Sequence, residues 1–141
     1  MKAYLDTSVV VSLLTDEIAT AQVYEWFRLH RDAQHCISEW AVTEFAAAIS
    51  MKARIGQIQA VQRASVMARF AQLTAKNLPL IPVEADDFRS AAQLCAHPTV
   101  NLRAADALHL AICRRIGATL VTLDQPFAAA ALETGTLTLV P

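Results

Sequence analysis

Short apolar runs of strand character alternate with helical periodicity from one end of this chain to the other, and that alternation leaves few folds open. Ala3–Leu5, Gln34–Ile37, Leu78–Val83, Thr119–Leu123 and Thr136–Val140 read as strands. Between them lie helical stretches: Val9–Leu14, Ile18–Arg31, Ser38 to about Ile55, Gln57–Ala75, Glu84–Ala96, Arg103–Ile116 and Gln125–Glu133. On the second of these, Ala19, Val23, Trp26, Phe27 and His30 share one face. Strands joined through helices run parallel, and a parallel sheet is covered on both faces. The expectation is an α/β fold: one three-layer α/β/α domain over residues 1–141 with a central, mainly parallel sheet. Thr7-Ser8 and Ser38 read as helix caps, and Gly56 as the residue that ends a helix. His97-Pro98 and Gly117 read as further stops. Pro79 and Pro82 place Leu78–Val83 at or near a sheet edge.

A chain of 141 residues that is 55% hydrophobic can fold around one core and is not a disordered segment. Its alanine-rich apolar content also predicts a surface covered by another chain. With a net charge of -1 it lacks a broad basic footprint for nucleic acid. A phosphate-binding surface must then be local, or must borrow positive charge from a metal. Cys36, Cys95 and Cys113 are odd in number and form no CxxC pair, so they read as small buried hydrophobes in a reducing compartment. The opening MKAYLDTSVV has no secretory pattern, and no apolar run reaches membrane-spanning length. A cytoplasmic protein without a membrane partner is expected.

Four acids stand out. Two strands end alike, AYLD at Asp6 and LVTLD at Asp124. In open α/β sheets, sites form beyond the carboxyl ends of the strands. Neighbouring aspartates there raise each other's pKa unless a cation lies between them. A hard divalent ion answers that need, since it prefers oxygen ligands. Either aspartate alone fits equally well as the cap of the helix that follows. Glu44 lies mid-helix on or beside the stripe formed by Trp40, Phe45, Ala48 and Ile49, where a buried carboxylate needs a cation or a donor; taken alone it also fits an acid at the edge of the stripe that reaches water. Asp106 sits in the first turn of its helix, a position the helix dipole also favours. His109, one turn on, reads as a packed or capping histidine without a role. No glycine-rich phosphate loop, serine triad, HExxH or cysteine–histidine metal spacing is present.

Taken together, YLDTSVVVSLL, ISEWAVTEFAAAI, LRAADALHLAIC and TLVTLDQPFAAAA resemble the PIN-domain family, and within it the VapC-type toxins of toxin–antitoxin pairs. The four blocks keep the family's order and span nearly the whole chain. The resemblance carries the family's acids to Asp6, Glu44, Asp106 and Asp124, as catalytic and metal-binding residues. Thr7 or Ser8, and Thr122, match polar positions that assist metal or water. It implies a Mg²⁺- or Mn²⁺-dependent endoribonuclease, a homodimer, and a cognate VapB-type antitoxin whose C-terminal segment covers the site.

On that basis Asp6, Glu44 and Asp106 form the principal cage, and Asp124 completes it or holds a metal-bound water. Metal-activated water then hydrolyses the RNA phosphodiester to a 5′-phosphate and a 3′-hydroxyl. Arg28, Arg31, Arg54 and Arg103 are candidates for phosphate contact. The helices over Ser38–Ala75 are the expected dimer face. Three alternatives stay open: a non-catalytic module that binds RNA or a partner, a housekeeping RNA-processing nuclease, and a phosphatase of the haloacid dehalogenase class. The last is weakened by Ser8, which stands where that chemistry uses a second acid.

Overall fold

The period-2 alternation of the first strand sets the layering. In the computed structural model, which describes residues 1–141, Ala3 and Leu5 face one apolar layer and Tyr4 faces the other. The strands are β1 (Lys2–Leu5), β2 (Gln34–Ser38), β3 (Leu80–Ile81), β4 (Thr119–Val121) and β5 (Thr138–Leu139). All pair in parallel, in the order β3-β2-β1-β4-β5. The helices are α1 (Thr7–Leu14), α2 (Thr20–Leu29), α3 (Glu39–Arg54), α4 (Ala60–Lys76), α5 (Ala85–Cys95), α6 (Ala104–Arg115) and α7 (Gln125–Glu133). Residues of α1 to α4 pack on one face around Leu5, Ile37, Phe45 and Phe70, and residues of α5 to α7 pack on the other around Tyr4, Leu110, Leu120 and Phe127. This is the expected three-layer α/β/α domain. No helix is long and apolar enough to cross a membrane.

The proline-broken segment takes an edge as expected, with β5 at the opposite edge. The strand order reverses beside β1: the chain moves outward through β2 and β3, then returns to β4 on the other side. Leu5 pairs with Val121, so the ends of β1 and β4 emerge as neighbours at the switch point. Only β1 ends at its aspartate: Asp6 follows Leu5 directly, whereas β4 stops at Val121 and Asp124 comes three residues later, at the start of α7.

Several boundaries differ from the sequence expectation. Asp6, not Thr7 or Ser8, occupies the N-cap position of α1, and its side chain makes no capping bond. Hydroxyls of Ser8 and Thr122 hold that carboxylate instead. Helix α2 starts at Thr20, whose hydroxyl accepts from the Glu17 N–H, and Ile18 is left fully exposed outside it. Helix α4 starts at Ala60, where the Gln59 N–H donates to the Gln62 side chain. Ser38 does cap α3, accepting from Ala41 N–H at 3.4 Å. Gly56 follows the end of α3 with φ 77°, a left-handed conformation that suits glycine. Cys36 and Cys113 are buried, but Cys95, at the last position of α5, is exposed.

Candidate active site

The carboxyl ends of β1 and β4 and the facing turns of α3 and α6 meet at one end of the sheet. Asp6 follows β1 directly and is buried. Its Oδ2 accepts from Ser8 Oγ and from Thr122 Oγ1, each at 2.7 Å. The Asp6 N–H donates to the Val121 carbonyl at 2.9 Å, which ties the two strand ends together. Ser8 Oγ also accepts from the Leu123 N–H at 3.2 Å. Thus both polar positions flagged beside the acids, Ser8 and Thr122, act on Asp6.

Glu44 reaches in from the middle of α3, half-buried. Its Oε1 accepts from Thr7 Oγ1 at 2.7 Å and is in close contact with His109 Nε2. Burial works to raise its pKa, but the hydrogen bond and charge of His109, with the Thr7 hydrogen bond, hold it below the ordinary glutamate value. His109 Nε2 lies 3.7 Å from Asp6 Oδ1. Ligand atoms of Asp6, Glu44 and His109 all fall within 4.8 Å of one another.

Asp106, in the first turn of α6, stands beside this group. Its carboxyl is pushed up to about 6, first by burial and then by the charges of Asp6, Asp124 and Glu44, with His109 opposing. The protein's own groups therefore leave the cluster's negative charge incompletely compensated. Asp124 is exposed at the start of α7 and caps it, with Oδ1 accepting from Phe127 N–H at 2.9 Å. The capping role is thus realised, while the charge still reaches Asp106. Asp124→Ala is expected to cost about 1 kcal/mol of stability, whereas Asp124→Asn retains the cap and costs little. Thermal unfolding of the two variants checks this; equal losses would overturn the capping role.

Of the four acids singled out in the sequence, Asp6 and Glu44 are gathered with His109, Asp106 and Asp124 lie outside that group, and the part played by His109 was missed. It is fully buried, as a packed histidine would be, yet its Nε2 turns to the acids. The available signal was spacing: His109 is one turn beyond Asp106 on a helix that buries its neighbours.

An open groove of about 1510 Å³ leads from Thr7, Ser8, Glu44 and Asp124 between α1, α3 and α4. Its cationic lining is Lys52, paired with Glu17 at 2.6 Å, and Arg69. None of Arg28, Arg31, Arg54 and Arg103 lines it, and Arg28 is held by Glu25.

A family model described as "PIN domain" matches residues 3–133. No curated protein matches in sequence. Among solved structures, the chain is similar to VapBC2 from Rickettsia felis, bound to a DNA fragment from its promoter. That likeness has a TM-score of 0.74 at 18% identity and covers 99% of this chain and 98% of that chain. It is similar to VapC20 from Mycobacterium tuberculosis, a sarcin–ricin loop cleaving toxin, with a TM-score of 0.65 at 19% identity over 91% of this chain and 94% of that chain. It is also similar to a toxin–antitoxin complex from Klebsiella pneumoniae, with a TM-score of 0.60 at 19% identity over 89% and 90% of the respective chains. At such identities the likeness concerns the fold.

Proposed function

The chain belongs to the PIN domain family, and from that premise we propose that it is a Mg²⁺- or Mn²⁺-dependent endoribonuclease of the VapC toxin type. The observation that carries the reading is the convergence of Asp6 and Glu44 with His109 at one end of the sheet, with Asp106 and Asp124 near enough to act by charge. Asp6 and Glu44 come within ligand distance of a common point, and the Asp106 pKa is raised first by burial and then by the acids around it. Oxygen donors in excess of local positive charge suit a hard divalent ion. Asp6, Glu44, Asp106 and Asp124 would hold it. When bound, the ion supplies Lewis acidity toward the scissile phosphate and lowers the pKa of water.

The chain's own residues prepare that site. Ser8 and Thr122 occupy Asp6 Oδ2, which leaves Oδ1, 3.7 Å from His109 Nε2, as the free oxygen. Thr7 pins Glu44 from the first turn of α1. RNA, in this reading, approaches along the groove beside Glu44 and Asp124, with Lys52 and Arg69 as its nearest cations. A VapB-type antitoxin and a homodimeric state belong to the same proposal. Support for them comes from the family resemblance and from the fold shared with a toxin–antitoxin complex.

The test is cleavage of RNA by the purified protein. Cleavage is expected in Mg²⁺, abolished by EDTA and restored by Mn²⁺, and the new ends should carry 5′-phosphates and 3′-hydroxyls. Mapping RNA ends after inducing the protein in cells would identify the target. Cleavage that persists in EDTA, or 2′,3′-cyclic phosphate ends, would overturn the metal-hydrolysis reading. Saturable metal binding without cleavage of any RNA would favour a binding module.

A further inference from the structure

The acid cluster is joined to the interior of the other layer by a chain of buried side chains that the family's acids do not explain. Tyr4 points from β1 into the layer beneath α6, two residues before Asp6. Its hydroxyl is hydrogen-bonded to Ser38 Oγ and to His109 Nδ1, each at 2.7 Å. The Tyr4 and His109 rings meet edge-on with centroids 5.8 Å apart. Tyr4, Ser38 and His109 are all fully buried. The imidazole is therefore fixed at one nitrogen by the core, and its other nitrogen is delivered to Glu44.

What Nε2 does there follows from the two oxygens of Glu44. Both side-chain contacts, from Thr7 Oγ1 and from His109 Nε2, fall on Oε1. An ionised carboxylate oxygen can only accept, so in its contact with Glu44 Oε1 the ring nitrogen Nε2 is the donor. With Oε1 occupied by two donors, Oε2 is the oxygen left to the site.

Resting on the metal-site reading above, we propose that His109, oriented by Tyr4, is a positioning residue that locks Glu44 Oε1 and so presents Glu44 to the ion through Oε2 alone. It acts through Glu44 and is not itself a ligand. A buried donor holding a ligating carboxylate fixes the direction of its free oxygen and spares the ion the entropy of ordering it. The Tyr4 hydroxyl does the same for the ring one step further back.

Mn²⁺ binding to the full chain, followed by isothermal titration calorimetry and by electron paramagnetic resonance, tests this without an activity assay. His109→Leu is expected to weaken Mn²⁺ binding by about 10- to 100-fold. His109→Gln places an amide N–H near the position of Nε2 and is expected to recover most of the loss. Tyr4→Phe, an isosteric deletion, should weaken binding less than His109→Leu. It should have no added effect in the His109→Gln background, where the ring atom it holds is gone. Bound Mn²⁺ in the wild type should show no hyperfine coupling to a directly ligated nitrogen. Wild-type affinity in His109→Leu would overturn the proposal, as would a nitrogen coupling that disappears in that variant, since His109 would then be a ligand. If His109→Leu does not fold, the Tyr4→Phe and His109→Gln pair decides by the same non-additivity. Absence of saturable Mn²⁺ binding to the wild type would instead bring down the metal-site reading and this proposal with it.

Discussion

Asp6→Asn is expected to reduce metal-dependent RNA cleavage by about a hundred- to a thousandfold, the several kcal/mol that a positioned Lewis acid contributes to a transition state. The substitution is nearly isosteric. The amide oxygen can still accept from Ser8 and Thr122, which donate at 2.7 Å to the native carboxylate. The strand-end bond from the Asp6 N–H to Val121 is a backbone contact and is untouched. Folding should therefore survive, as circular dichroism and a cooperative melt would show. What changes is the side facing Glu44 and His109, where a carboxylate oxygen gives way to an amide that attracts no cation. Initial rates on a defined RNA, with contaminating nuclease excluded by a mock preparation, measure the effect. A folded variant that cleaves at the wild-type rate would remove Asp6 from the site.

The fold was legible in the sequence because the features that specify it are periodic and local. Ala3, Tyr4 and Leu5 alternate, Ser38 and Gly56 mark the ends of α3, and Pro79 and Pro82 mark an edge. The acids were legible for a related reason: a charge at the end of an apolar strand, or beside an apolar stripe, conflicts with its surroundings and demands a partner. The partners themselves were hidden. Tyr4 and His109 are 105 residues apart in sequence, and Thr122 and Asp6 are 116 apart. Nothing local to either residue of such a pair announces the other. Thr7 and Ser8 were misread as caps. A hydroxyl after a strand has that signature, but here carboxylates claim both side chains, Glu44 from 37 residues away for Thr7 and Asp6 from only two residues away for Ser8. Asp124 shows the converse, since its local capping signature was correct and coexists with a charge felt by Asp106.

Asp106→Asn should reverse the order of stability depending on whether metal is present. The Asp106 carboxyl titrates near 6 in the folded protein against an ordinary value of 3.8. A folded-state pKa above the unfolded one means the native state holds the proton more tightly. Its stabilising contribution is complete below about pH 4 and is lost as pH rises through about 6. At pH 7.5 the ionised group thus burdens the metal-free fold. Because it is only half-buried, solvent screening trims the effect to on the order of 1 kcal/mol. The helix dipole opposes this, since a first-turn carboxylate gains about 0.3–1 kcal/mol from it. Burial, together with repulsion from three neighbouring acids, outweighs that gain. The metal-free variant should consequently melt higher than the wild type at pH 7.5, by up to about 3 °C, and the advantage should vanish near pH 4. Mn²⁺ at a hundredfold excess over its dissociation constant should stabilise the wild type by about 2.7 kcal/mol, or about 8 °C. The variant has lost a ligand and should gain less, so with metal the wild type becomes the more stable. Melting curves at the two pH values, with and without Mn²⁺, test both halves. A metal-free variant less stable than wild type at pH 7.5 would mean that helix-dipole stabilisation dominates at Asp106. The acids would then not be crowded enough to require a cation.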